Sequence, residues 1–292
     1  MPTERPVATP SGRLAIIAGG GALPRIVADE AARAGRNPFI VPIADGRAGD
    51  WSAWDHKPLS WARTGDVFAL LRSRGVGTVV FCGTISVRPD YRSMIPSLRT
   101  LAFMPELFRM VRGGDDSLIR AVSRAFEARG FEVVGVQSIV PTLLMPAGVL
   151  SARTPDLREM DAVRRAAEAA DLIGRLDVGQ AVVASCDRVI ALEGIEGTQE
   201  MLRRVADLRA RGRIGRREPT VLFKAFKPQQ DARFDLPSMG RDTVDQAVAA
   251  GLSGIALTAG RSLLIESERV LEAMSATDLF LVGMETHSES AA

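Results

Sequence analysis

The sequence predicts an α/β fold in two domains, and three observations carry that prediction. Apolar runs of strand length alternate with helical patterns along most of the chain, a triple glycine follows the first run, and a proline-broken stretch interrupts the pattern near the middle. At 292 residues and 46% hydrophobic content the chain can bury a large core, and it divides more naturally into two domains than one.

The elements follow in order. MPTERPVATPSGR, residues 1–13, is polar and proline-rich and lacks the apolar centre of a secretory signal, so it reads as a disordered lead-in. LAIIAGGGALPRIVADEAARAG reads as strand, turn and helix, the helix opened by Pro24 and closed by Gly35. PFIVPI is a second strand; VFALLRSRGV and TVVFCG are a helix and a third strand; SLIRAVSRAFEARG and FEVVGV repeat the pair. Parallel strands need crossover connections, so residues 14–140 form one Rossmann-like unit on a parallel sheet. PTLLMPAGVLSARTP, residues 141–155, holds three prolines without periodicity and reads as the linker.

The second α/β domain, 156–285, opens with the helical DLREMDAVRRAAEAADLIGRL. QAVVASCDRVIALE gives two short strands about an Asp-Arg turn, QEMLRRVADLRARG a helix and TVLFKAF a strand. TVDQAVAAGLSGIALTAGRSLLIES supplies helix, strand and turn. A short helix near RVLEAMSATD and the strand FLVGM finish the domain.

Composition narrows the function. Thirty-seven basic against thirty-five acidic residues leave a net charge of +2, which argues against a nucleic-acid partner. Two separated cysteines and two histidines support neither a disulfide framework nor a zinc site, and point to a reducing, cytoplasmic compartment. No apolar run reaches the roughly 20 residues that span a bilayer, so membrane contact is expected to be peripheral.

Six stretches bear on chemistry, each with a plainer alternative. Gly19, Gly20 and Gly21 after the first strand can cradle a phosphate on backbone amides, or simply make a tight turn. A dinucleotide fingerprint needs a sixth-position glycine where Pro24 stands, so an oxidoreductase is disfavoured. Asp115 and Asp116 can cap the following helix or hold a divalent cation. Glu193, Glu196 and Thr198 lie in a glycine-containing turn rich in oxygen ligands, or one that is merely solvated. LRTLAFMPELFRMVR can lie on a membrane or acyl chain, or pack on the core; the three tryptophans of WSAWDHKPLSW suit packing or a subunit contact. In FKAFKPQQDARFDLPSMG, Lys224, Lys227 and Arg233 can neutralise phosphate oxygens while Asp231 and Asp235 hold a cation or orient water. The alternative is a network of ion pairs, worth only about 0–1 kcal/mol each at a surface.

Together, IIAGGGALPRIVADEAARAG, GGDDSLIRA, DVGQAVV, EGIEGT and KPQQDARFDLPSMG, in this order over nearly the whole chain, resemble the LpxI-type UDP-2,3-diacylglucosamine diphosphatases. The resemblance implies a cytoplasmic, Mg2+- or Mn2+-dependent hydrolase that cleaves this substrate to UMP and 2,3-diacylglucosamine 1-phosphate in lipid A biosynthesis, with attack at the lipid-side phosphorus. It also implies a homodimer, with contact to the inner membrane at most peripheral. Carried over by position, the family motifs fall on Gly19, Gly20, Gly21, Asp115, Asp116, Gln180, Glu196, Thr198, Lys227, Gln230, Asp231, Arg233 and Asp235; with Lys224 from the same loop, the expected roles are catalytic for Asp235, Asp231, Lys227, Arg233 and Lys224, substrate-binding for Gly19, Gly20, Gly21, Gln180, Thr198 and Gln230, and metal-binding for Asp115, Asp116 and Glu196. Gln199 stands where the family pattern carries an aspartate, so no charged role falls to it. The competing reading is a nucleotide or lipid-phosphate carrier with the same basic loop and no chemistry.

Overall fold

The structure, a computed structural model, describes residues 12–85, 95–111, 115–227, 230–234 and 236–285, with the backbone alone described at 106–111 and 115–119. Residues 1–11 of the expected lead-in and Asp235 lie outside the described residues, and Arg13, expected to end the lead-in, opens the first strand. The chain divides into two compact units, Met1–Pro141 with Asp231–Phe234, and Thr142–Gln230 with Asp235–Ala292.

The first unit contains β1 (Arg13–Ala18), α1 (Leu23–Arg33), β2 (Phe39–Pro42), β3 (Asp55–His56), α2 (Val67–Ser73), β4 (Val76–Cys82), α3 (Leu98–Val111), α4 (Asp115–Glu127), β5 (Glu132–Val134) and α5 (Val136–Ile139). Its five strands pair in the order β3-β2-β1-β4-β5, all parallel. Such strands are covered on both faces, which is why β1 and β2 read as unbroken apolar runs. Ala15, Ile17, Phe39, Val41 and Val79 pack with Phe68 and Leu71 of α2 and Ala125 and Phe126 of α4. Trp51 is buried, with its indole N–H donating to the Gly46 carbonyl at 2.8 Å, so one tryptophan of the cluster packs within this unit. Burial also pushes the Cys82 thiol up to about 12, leaving an inert apolar filler.

The second unit contains β6 (Gly148–Val149), α6 (Leu157–Arg175), β7 (Ala181–Ala184), β8 (Val189–Leu192), α7 (Gly197–Ala210), β9 (Val221–Lys224), β10 (Ser238–Met239), α8 (Arg241–Ala249), β11 (Gly254–Thr258), β12 (Leu263–Leu264), α9 (Ser267–Ser275) and β13 (Phe280–Met284). Its large sheet is mixed, in the order β6-β13-β11-β9-β7-β8. β9, β11 and β13 run parallel, while β6, β7 and β8 pair antiparallel to their neighbours. Alternate residues face opposite layers. Val182, Val221, Phe223, Ala256 and Phe280 meet the alanine face of α6, whereas Val183, Leu222, Ile255, Leu257 and Leu281 meet α7, α8 and α9. The start of α6 is held by a reciprocal cap, Asp156 accepting from the Glu159 amide at 2.8 Å and Glu159 accepting from the Asp156 amide at 2.9 Å.

The stretch 141–155 is more ordered than three prolines suggest. A short 3-10 turn, Pro141–Leu143, leads to a bridge from Leu144 to Leu263, and β6 then pairs with β13. Prolines exclude a long helix or central strand, yet a two-residue edge strand needs few amide donors.

Candidate functional site

In the second unit the polar motifs converge at one end of the sheet, where β9 leaves and β7 enters. β9 ends at Lys224, which lies opposite Ala181 at the start of β7, and the Ala225 amide donates to the Gln180 carbonyl at 2.8 Å. Antiparallel pairing thereby brings the D-x-G-Q turn beside the lysine loop. Lys224 is only 8% exposed and its ammonium donates to the Ser238 carbonyl at 2.7 Å. Lys227 donates to Asp177 at 2.7 Å, and its backbone amide donates to the side-chain oxygen Oε1 of the buried Gln230 at 2.9 Å. The Gln230 side-chain nitrogen Nε2 reaches the Gln180 side-chain oxygen at 3.5 Å, the long limit of a hydrogen bond. Asp177 sits at φ 55°, a left-handed conformation that aspartate tolerates better than most residues.

Glu193 joins this turn to the start of α7. Its buried carboxylate accepts from the Gln180 amide at 3.0 Å, the Ala181 amide at 2.9 Å and the Thr198 hydroxyl at 2.7 Å. Thus Gln180 and Thr198 share one anchor. Glu196 instead pairs with Arg204 at 3.2 Å. The oxygen-rich composition of this turn was legible in sequence, but Glu193's role as its anchor depends on pairing between β7 and β8.

In the first unit, β1 and β4 are neighbours at the point where the strand order reverses. Gly19 and Gly20 use their amides there, donating to Cys82 at 2.8 Å and Thr84 at 2.8 Å. A Cβ on Gly19 would stand 2.5 Å from the Thr84 carbonyl, so only glycine fits this approach. Gly21, at φ +88°, turns the chain into α1. The chain then enters α1 with Pro24 in its first turn, a helix start of positive dipole. Asp115 and Asp116 occupy the first two positions of α4, with their side chains outside the described residues.

Asp231 and Arg233 also belong to the first unit, with Phe234 packed against Phe81 at a centroid distance of 5.4 Å. Arg233 is a bridge: its Nε and one terminal nitrogen donate to Asp231 at 3.0 and 2.7 Å, while the other donates to Glu127 at 2.6 Å. The guanidinium hydrogen bonds hold the Asp231 carboxyl below the ordinary carboxylate range, although burial opposes them. The Asp231 hydrogen bond in turn raises Arg233. The Ala232 carbonyl accepts from Gln137 at 3.0 Å. The KPQQDARFD motif therefore divides: Lys227 and Gln230 pack in the second unit, Asp231 and Arg233 in the first.

These carboxylates do not fit a ready-made metal centre. Among the described residues no three histidine, cysteine or acidic side chains gather as a ligand set. Glu193 is saturated by protein donors, and Asp177, Glu196 and Asp231 each face a cation. Of the acids expected at the site, Asp235 and the side chains of Asp115 and Asp116 lie outside the described residues.

By class this is a two-unit α/β chain, with a glycine turn before a helix start in one unit and lysines and glutamines at strand ends in the other, the kinds of group that open α/β folds use for anionic ligands. The LpxI N-terminal domain matches residues 13–143 and the LpxI C-terminal domain residues 146–282, and the chain belongs to the LpxI family. It is 38% identical over 275 residues to the UDP-2,3-diacylglucosamine pyrophosphatase LpxI of Caulobacter vibrioides, a match covering 94% of this chain and 98% of that protein.

Proposed function

We propose that this chain hydrolyses UDP-2,3-diacylglucosamine in lipid A biosynthesis. The observation that carries the reading is the 38% identity to the Caulobacter pyrophosphatase along 94% of the chain. Water adds across the phosphoanhydride: a bond from one phosphorus to the bridging oxygen breaks, a bond to the water oxygen forms, and UMP and 2,3-diacylglucosamine 1-phosphate leave. Attack at the lipid-side phosphorus places the oxygen-18 of labelled water in the lipid phosphate; label in UMP overturns that assignment.

The residues divide the work by charge. Lys224, Lys227 and Arg233 offset negative charge on the phosphoryl and leaving groups. The amides after Gly20 and the start of α1 receive a phosphate, with Gly19 and Gly20 shaping the turn. Gln180, Gln230 and Thr198 orient substrate oxygens. Asp231 spends both carboxylate oxygens on Arg233, so Asp235 is the better of the two acids to orient water.

A Mg2+ or Mn2+ ion would neutralise diphosphate charge. The described carboxylates offer it no complete set; the ligands the resemblance implies are Asp115, Asp116 and Glu196, the last of which pairs with Arg204. The parallel order β3-β2-β1-β4-β5 supports the Rossmann-like reading of the first unit. The homodimer and peripheral membrane contact rest on the resemblance. No helix among the described residues is long and apolar enough to cross a membrane.

Release of UMP from UDP-2,3-diacylglucosamine tests the reading, with EDTA expected to abolish it and added Mg2+ or Mn2+ to restore it. Full activity in EDTA overturns the metal requirement. Tight binding without UMP release favours a carrier, and saturable binding of NAD or NADP favours an oxidoreductase.

A further inference from the structure

We infer that Arg261 is a further substrate contact, a guanidinium that receives a phosphate of the diphosphate; this rests on the pyrophosphatase reading. Arg261 lies on the loop Thr258–Ser262, which leaves the carboxyl end of β11. In the sheet β11 is the direct neighbour of β9, with Leu257 opposite Lys224, so Arg261 departs from the same end of the sheet as Lys224 and Lys227. Ligands of open α/β sheets collect outside the carboxyl ends of parallel strands.

The loop is firmly held. Thr258 is buried, and its hydroxyl accepts from the Phe226 amide at 3.2 Å. The Ala259 amide donates to the Met284 carbonyl at 2.8 Å and the Gly260 amide to the Met145 carbonyl at 2.8 Å, with Gly260 turning the chain at φ +66°. On this rigid base Arg261 is exposed and lies over the ring of Phe226, 5.3 Å from its centroid. The ring belongs to the residue immediately before Lys227.

What separates Arg261 from Lys227 and Arg233 is its pairing. Lys227 meets Asp177, and Arg233 meets both Asp231 and Glu127. Among the described residues Arg261 meets no carboxylate. Stacking on an aromatic face restricts the guanidinium while leaving its edge N–H groups free, which is the geometry suited to bidentate phosphate recognition. An ordinary solvated arginine has no need of an anchored loop or a ring beneath it.

The test compares wild-type protein with Arg261→Ala and Arg261→Lys. UMP release is measured over a range of UDP-2,3-diacylglucosamine concentrations, and UDP binding by calorimetry. Arg261→Ala is expected to lose roughly 10- to 100-fold in kcat/KM, mainly through KM, because a charge-assisted contact is removed. Arg261→Lys should recover only part, since an ammonium keeps the charge without the fork, and thermal unfolding should not move. A value for Arg261→Ala within twofold of wild type overturns the inference. If wild type releases no UMP but binds UDP, the pyrophosphatase reading fails alone; weaker UDP binding by Arg261→Ala then retains the anion contact, and equal binding removes it. Absence of both UMP release and UDP binding in wild type overturns both.

Discussion

Glu193 shows how one buried acid governs several residues at once. Its carboxylate serves two amides and a hydroxyl, so Glu193→Ala leaves three donors without their acceptor. Unsatisfied buried groups cost about 1–3 kcal/mol each, partly relieved if water enters. Glu193→Ala should therefore lower stability by about 2–4 kcal/mol in urea unfolding and slow UMP release, while Glu193→Gln should retain more of both. Asp231 permits a pH test. Its folded pKa is depressed, so its stabilisation is present above the unfolded value of about 3.9 and is lost as pH falls through the folded value. Asp231→Asn should cost about 1 kcal/mol at neutral pH, limited by solvent around the half-exposed Arg233, with the gap to wild type closing below about pH 4. Acid titration of the unfolding midpoint reads this directly, and a gap that widens in acid contradicts the assignment.

At the element scale, the decisive feature is the short segment Asp231–Phe234. Its aromatic residue joins the cluster of Phe81, Phe126 and Phe68 in the first unit, and Gln137 and Glu127 hold its backbone and arginine. Fully burying a phenylalanine stabilises by about 1.5–3 kcal/mol, so the partly buried Phe234 contributes roughly 1–1.5 kcal/mol. Phe234→Ala should lower stability by about that amount and reduce turnover beyond what the unfolded fraction explains, because Asp231 and Arg233 lose their anchor. Phe234→Leu should restore most of the stability. Equal turnover in Phe234→Ala and wild type, measured well below the unfolding temperature, would separate the segment's packing from the reaction.

For the whole molecule, the proposed reaction makes Asp235 the most sensitive acid. Asp235→Ala should keep the fold, seen as an unchanged circular dichroism spectrum, and lower UMP release by two or more orders of magnitude; near wild-type turnover at saturating Mg2+ would remove Asp235 from the mechanism. Much of this architecture was readable in one dimension. The apolar runs at 14–18, 39–42, 78–82, 221–223 and 280–284 became strands because strands buried on both faces carry little polar interruption, and FLVGM became β13 residue for residue. The short β3, β6, β10 and β12 were not readable, since two residues carry no period. The triple glycine, the D-x-G-Q turn and the lysine loop were also legible as motifs, because glycine and dense charge are local signals. Their partners were not. The sequence by itself determined the alternation of strands and helices, the two-unit division and the family, all of which depend on local pattern and composition. Only the tertiary structure decided that Glu193 anchors Gln180 and Thr198, that Arg233 is spent on Asp231 and Glu127, and that Arg261 shares one end of the sheet with Lys224, because strand pairing brings together residues that lie far apart along the chain.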